Sequence, residues 1–80
     1  MPDRIELIME LKSVELTRAL YRAVEPDNRT APVGVTVCTR QEGTRLISTI
    51  ESTGRLQTLL ATFHDLIAAL TTVLNVLESL

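Results

Sequence analysis

The chain has no tryptophan, one tyrosine, one phenylalanine, one cysteine and one histidine in 80 residues. Each scarcity excludes something. A lone Cys38 rules out an internal disulfide framework. With one cysteine and one histidine, no pair has metal-ligand spacing. Two rings, Tyr21 and Phe63, cannot supply the stacking platform of an RRM, and the chain has no GXXG clamp of the KH kind. Gly34, Gly43 and Gly54 are too scattered for a phosphate loop. The opening run Met1-Pro2-Asp3-Arg4-Ile5-Glu6 is charged from the start, unlike a secretory leader. Cytoplasmic residence is therefore expected, and the Asn28-Arg29-Thr30 sequon carries no meaning there. The net charge of −2 is not that of a nucleic-acid-binding tail.

A chain of this length reads as one domain, residues 1–80, and buries only about 60–65% of its unfolded surface. Its core must be filled by Leu, Ile, Val, Met and Ala. A small aliphatic core gives modest stability, so oligomerisation is expected to support it.

Charge is partitioned along the chain. All eight Lys and Arg lie in residues 1–55, and the last 25 residues carry only Asp65 and Glu78. In that stretch Leu56, Leu59, Phe63, Leu66, Leu70, Val73, Leu77 and Leu80 recur at spacings of three and four, which predicts a long helix with an apolar stripe. Leu60, Ile67 and Leu74 flank the stripe on one side; Thr62, Ala69 and Val76 flank it on the other. The apolar arc is wider than one packing surface needs. His64, Asp65, Asn75 and Glu78 interrupt it, and the charge-free run Leu66 to Leu77 is too short for a membrane span. The expected contact is protein, not lipid.

Upstream, Arg4 to Lys12 alternates as a half-buried strand, with Ile5, Leu7, Met9 and Leu11 on one face. Ser13 is a predicted N-cap. Val14 to Glu25 predicts a helix with Leu16, Leu20, Ala23 and Val24 inward, and Pro26 ends it. Val33 to Arg40 and Thr44 to Glu51 predict two strands around a Gln41-Glu42-Gly43 turn. Ser52 or Thr53 is the expected cap of the last helix, which begins near Gly54. The order β-α-β-β-α predicts an α+β two-layer sandwich. A three-stranded antiparallel sheet in the order 1-3-2 carries both helices on the face of Ile5, Leu7, Met9, Leu11, Val33, Val35, Val37, Leu46 and Ile50. The long helix outruns the sheet, which leaves its last apolar residues exposed or partnered.

Catalytic chemistry is hard to assemble. His64 and Asp65 are adjacent, so on a helix their side chains diverge by about 100° and form no dyad. Cys38 sits on a Val-rich strand with nothing nearby to activate it, which favours a small filler over a nucleophile. No catalytic residue, cofactor or metal site is expected. The outer sheet face mixes Arg4, Lys12, Arg40 and Arg45 with Glu6, Glu10 and Glu51, the pattern of a solvated face; a small free-standing RNA-binding domain of KH-like shape is the alternative reading.

The run Ala19-Leu20-Tyr21-Arg22-Ala23-Val24-Glu25-Pro26-Asp27-Asn28 resembles the first helix and following "PDN" turn of the Pcc-type subunit of the KEOPS complex. Ile50-Glu51-Ser52, followed by Leu59-Leu60-Ala61-Thr62-Phe63-His64-Asp65-Leu66-Ile67, is similar to that family's "TLRATIDDLL" segment. The resemblance spans nearly the whole chain from Leu16 onward. Its lack of an N-terminal extension is similar to archaeal members; relatives include the LAGE/CTAG antigens. Leu60 stands where the family usually has arginine, and His64 where it often has aspartate or asparagine. The resemblance implies a non-catalytic dimerisation subunit, pairing with itself or with a paralogue. Its helices dock the ATPase-fold catalytic subunit that makes threonylcarbamoyl-adenosine in tRNA, so tRNA is touched only indirectly or weakly. The expected docking strip is Leu60, Ala61, Ile67, Ala68 and Leu74 on the last helix, with Thr17 and Tyr21 of the first helix as the other wall.

Overall fold

The structure, a computed structural model, describes residues 3–28 and 31–80, with backbone only for 26–28. Its elements are β1 (Asp3–Glu10), α1 (Val14–Asn28), β2 (Val35–Glu42), β3 (Arg45–Ser52) and α2 (Leu56–Glu78). The three strands form one antiparallel sheet in the order β1-β3-β2. The fold is the expected α+β arrangement, β-α-β-β-α.

Register divides the side chains cleanly. On one face, Ile50 lies between Ile5 and Val37, Ser48 between Leu7 and Thr39, and Leu46 between Met9 and Gln41. Both helices pack on this face. Leu20 and Val24 of α1, Val35, Leu46 and Ile50 of the sheet, and Leu59, Leu66 and Leu70 of α2 form the buried core. Successive strand side chains alternate between faces, so this register fixes which residues meet the helices.

Several boundaries differ from expectation for local reasons. Val33 was expected in the strand but is fully exposed in a turn. Gly34 takes φ +84, and the Val35 amide donates to the Pro32 carbonyl at 3.0 Å. A glycine at positive φ in the third position is what a type II turn requires. The β2–β3 hairpin closes through two residues, Gly43 and Thr44, between the paired Glu42 and Arg45. Gly43 lies at φ +62 and Thr44 does not share that sign, which suits a II′ hairpin. The expected Gln41-Glu42 turn residues therefore belong to the strand.

The first helix passes Pro26 and ends at Asn28. A proline removes one hydrogen bond and crowds the preceding turn, yet Pro26-Asp27-Asn28 closes α1 instead of forming a separate turn. Met1, Pro2, Arg29 and Thr30 lie outside the described residues. α1 is also rotated from the expected setting. Thr17, Leu20 and Val24 point inward, while Ala23 is exposed. Thr17 is tolerated there because its hydroxyl donates to the Ser13 carbonyl at 2.8 Å, which satisfies the buried polar group. Ser13 itself caps α1: its Oγ accepts from the Leu16 amide at 3.1 Å.

At the start of α2 the N-cap is Arg55, with no side-chain cap. Ser52 does not cap the helix; its Oγ accepts from the Gly54 amide at 3.1 Å and shapes the loop instead. The last helix, about 35 Å long at 1.5 Å per residue, accounts for most of the molecule's 39 Å long axis. A strand of eight residues spans about 26 Å, so α2 overhangs the sheet.

Leu70→Ala is expected to destabilise the fold by about 2–5 kcal/mol, because it empties a fully buried core position. Leu60→Ala, at an exposed position, should cost under about 0.5 kcal/mol. Urea melts of the two variants separate these outcomes.

Candidate interaction surface

α2 presents three zones. Leu59, Leu66 and Leu70 are buried against the sheet. Phe63, Val73, Leu74 and Leu77 are half-buried and packed on the same core. The outer side is exposed: Leu60, Ala61, His64, Ile67, Ala68, Thr71, Thr72 and Val76. Leu60 and Ile67, at 42% and 37% exposure, mark where the core ends and this outer face begins. Leu56 was expected in the core stripe but is 56% exposed. It is the first residue of α2.

The structure brings most of the expected docking strip onto one face. Leu60, Ala61, Ile67 and Ala68 are all solvent-exposed on α2, and Leu74 is half-buried beside them. The other wall does not form as expected. Thr17 is fully buried, so it is unavailable to a partner. Tyr21 is half-buried against the core, and only part of its ring reaches the surface. The reason is the rotation of α1 that places the threonine inward; apolar periodicity alone assigns that position to Leu16 and Ala23.

This outer face holds no lysine or arginine. Ala61 and Ala68 keep its profile low, and flanking Leu60 and Ile67 supply apolar bulk. Small residues on a helix face let a second helix approach to about 8–10 Å between axes. By length and composition alone α2 could also cross a membrane, but its buried side is already committed to the sheet and its exposed side carries His64 and Asp65.

The open face of the sheet is different in kind. Arg4, Glu6, Glu10, Arg40, Glu42, Arg45 and Glu51 stand on it around Ile8 and Ile47. Its cations are paired locally. Arg4 meets Glu6 at 3.5 Å and Arg40 meets Glu42 at 2.9 Å; Arg45 pairs across strands with Glu10. The hydrogen bond to Glu42 raises the Arg40 pKa, which strengthens an already permanent charge. Lys12, expected on this face, lies beyond β1 and pairs instead with Glu78 at the end of α2, at 3.6 Å. Cys38 is exposed on the open face rather than filling a gap. The strand alternation places it opposite Thr49 and away from Val35 and Val37, the residues of its own strand that face the core.

Among the described residues, no three of His, Cys, Asp and Glu are grouped to hold a metal ion. No buried side-chain nitrogen or oxygen among them lacks a hydrogen-bond partner. Thr39 and Ser48 share a hydroxyl hydrogen bond of 3.0 Å beneath the helices. These polar groups are used by the fold and do not converge on a cleft. No protein-family model matches the chain, and no curated protein matches it significantly.

Because Cys38 is exposed, a water-soluble thiol reagent should modify it in the folded protein at a rate near that of the denatured chain. Cys38→Ala should shift stability by under about 0.5 kcal/mol. A thiol that reacts only after unfolding would contradict this placement.

Proposed function

We propose that the chain is a non-catalytic dimerisation and scaffold subunit of KEOPS type. In this reading the outer face of α2 docks a helix of the ATPase-fold catalytic subunit, and the assembly modifies tRNA. The observation that carries the reading is the exposed, cation-free face of Leu60, Ala61, Ile67 and Ala68. The same helix already buries a full stripe against its own sheet. A second apolar surface on one helix is an interaction surface more often than an accident when it is contiguous. The β-α-β-β-α order with the helices on one face also agrees with what the family resemblance implies.

Within this reading the first wall of the docking groove is α2 alone, with the exposed edge of Tyr21 as the nearest contribution from α1. Leu60, in place of the family's usual arginine, replaces a charged contact with an apolar one. Direct tRNA binding is disfavoured by the local pairing of Arg4, Arg40 and Arg45 with carboxylates. Those cations have little net field to offer a phosphate backbone.

A carboxylate buried in a helix–helix contact without a partner costs several kcal/mol. On a solvated face the same change costs under about 0.5 kcal/mol of fold stability. Ala61→Asp and Ala68→Asp should therefore abolish capture of the catalytic subunit while leaving the thermal melt nearly unchanged. Normal capture by both variants places docking elsewhere, and unfolding of both makes the face part of the core. Light scattering at micromolar concentration should find a dimer or a larger complex; a well-behaved monomer there would remove the dimerisation role.

A further inference from the structure

We infer that two copies of the chain pair antiparallel along β1, edge to edge, in a register that sets Arg4 of each copy opposite Glu10 of the other. The inference gives the dimer of the proposed function its interface, and it rests on that part of the reading. β1 is an edge strand, with β3 on one side. Among the described residues, no backbone hydrogen bond is made along its other side. The Leu11 amide donates to the Thr44 carbonyl at 2.9 Å, and the β1–β3 register continues from that pair. Backbone groups along an antiparallel strand alternate in direction. Those of Ile5, Leu7 and Met9 therefore point at β3, and those of Arg4, Glu6, Ile8 and Glu10 point out from the edge. An unpaired row of this kind is a template for another strand.

The parity of this row limits how a second copy fits. Hydrogen-bonded pairs across the new seam must join even-numbered residues of both copies, so the helices of both lie on one side of a continuous sheet. A two-fold axis makes such a seam self-complementary. Only two registers of this parity overlap all but one residue of each strand. One is centred on Glu6 and sets that carboxylate against its own copy, with Arg4 opposite Ile8. The other is centred on Leu7. It sets Arg4 opposite Glu10 at both ends of the seam and Glu6 opposite Ile8 between them. On the helix side it sets Leu7 against its own copy and Ile5 against Met9. Opposite charges facing each other across strands are favourable and like charges are not, which selects the register centred on Leu7. The Arg4 and Glu10 side chains are 58% and 59% exposed, so both can reach across the seam while keeping their neighbours in their own sheet. β2, the other edge strand, offers no such match. Neither of its long registers brings opposite charges together, and its Gln41 side chain is already bonded to the Val14 carbonyl of α1 at 3.2 Å.

The test follows self-association of the whole chain by sedimentation velocity at micromolar concentration. Low ionic strength is used, where exposed charge pairs are least screened, and each variant is also melted. Ile8→Pro removes an outward amide and no bond to β3, a change that edge strands accept. It should convert the wild-type dimer into a folded monomer. Arg4→Glu and Glu10→Arg should each weaken self-association about tenfold, because each sets like charges face to face at both ends of the seam. An equimolar mixture of these two variants should associate about as tightly as wild type, since opposite charges then meet at both ends again. A dimer that survives Ile8→Pro, or a mixture no tighter than its components, overturns the inference and leaves the dimerisation reading standing with another interface. If Ile8→Pro does not fold, the mixture decides. A wild-type chain that stays a well-behaved monomer removes the dimerisation reading and this inference with it.

Discussion

Everything in this molecule depends on how α2 lies across the central strand. Leu59, Leu66 and Leu70 enter the same core as Leu46 and Ile50 of β3. Burying a leucine or isoleucine side chain contributes about 1.5–3 kcal/mol, and few other large groups are available in so small a chain. These residues set the rotation of the helix about its axis. Once they point down, Leu60 and Ile67 fall at the edge, and Ala61, His64 and Ala68 must point out. The exposed apolar strip is thus a geometric consequence of the core. It cannot be moved by mutation without also moving the stripe that holds the fold together.

A second constraint is polar. β3 is flanked on both sides, so even its outward residues Ile47 and Thr49 are buried by cross-strand neighbours. Inward, Ser48 and Ser52 occupy positions that larger apolar residues would fill in a bigger core. Each hydroxyl is locally satisfied, Ser48 with Thr39 and Ser52 with the Gly54 amide. A hydroxyl left unpaired in such a place would cost about 1–3 kcal/mol. Small polar side chains with near neighbours to bond let two helices sit close to the sheet. Thr17 does the same on α1, returning its hydrogen bond to the preceding turn.

That device explains which parts were legible in the sequence. Strand alternation and the three-and-four spacing of α2 depend on side-chain period alone, so the fold and sheet order could be read directly. The facing side chains survived a two-residue shift of β2 because Val33, Val35 and Val37 share parity; the shift cost only Val33. Misplaced features were those decided by one hydrogen bond. Thr17 is expected in the outer wall beside Tyr21, whereas its bond to Ser13 lets it go in. Ser52 looked like a helix cap, whereas its bond to Gly54 spends it in the loop. Strand composition alone favours Cys38 as a filler, although its parity places it opposite Thr49 on the open face. At the candidate surface, the strip on α2 was legible because it is periodic. The wall on α1 was not, because its rotation rests on a single threonine.

Charge partition gives the two sides of the domain different surfaces. The sheet's outer face carries its cations in pairs with carboxylates, which keeps that face wet and gives it little appetite for a polyanion. α2 carries no lysine or arginine, and its exposed side sets His64 and Asp65 beside the apolar Leu60, Ala61, Ile67 and Ala68. Desolvating the sheet face would strand several ion pairs at once, a cost that attraction within each pair need not repay. Covering α2 would desolvate mainly methyl and methylene groups, which is favourable in proportion to the area removed from water. The difference in desolvation cost between the two faces is therefore built into the distribution of charge between the first 55 residues and the last 25.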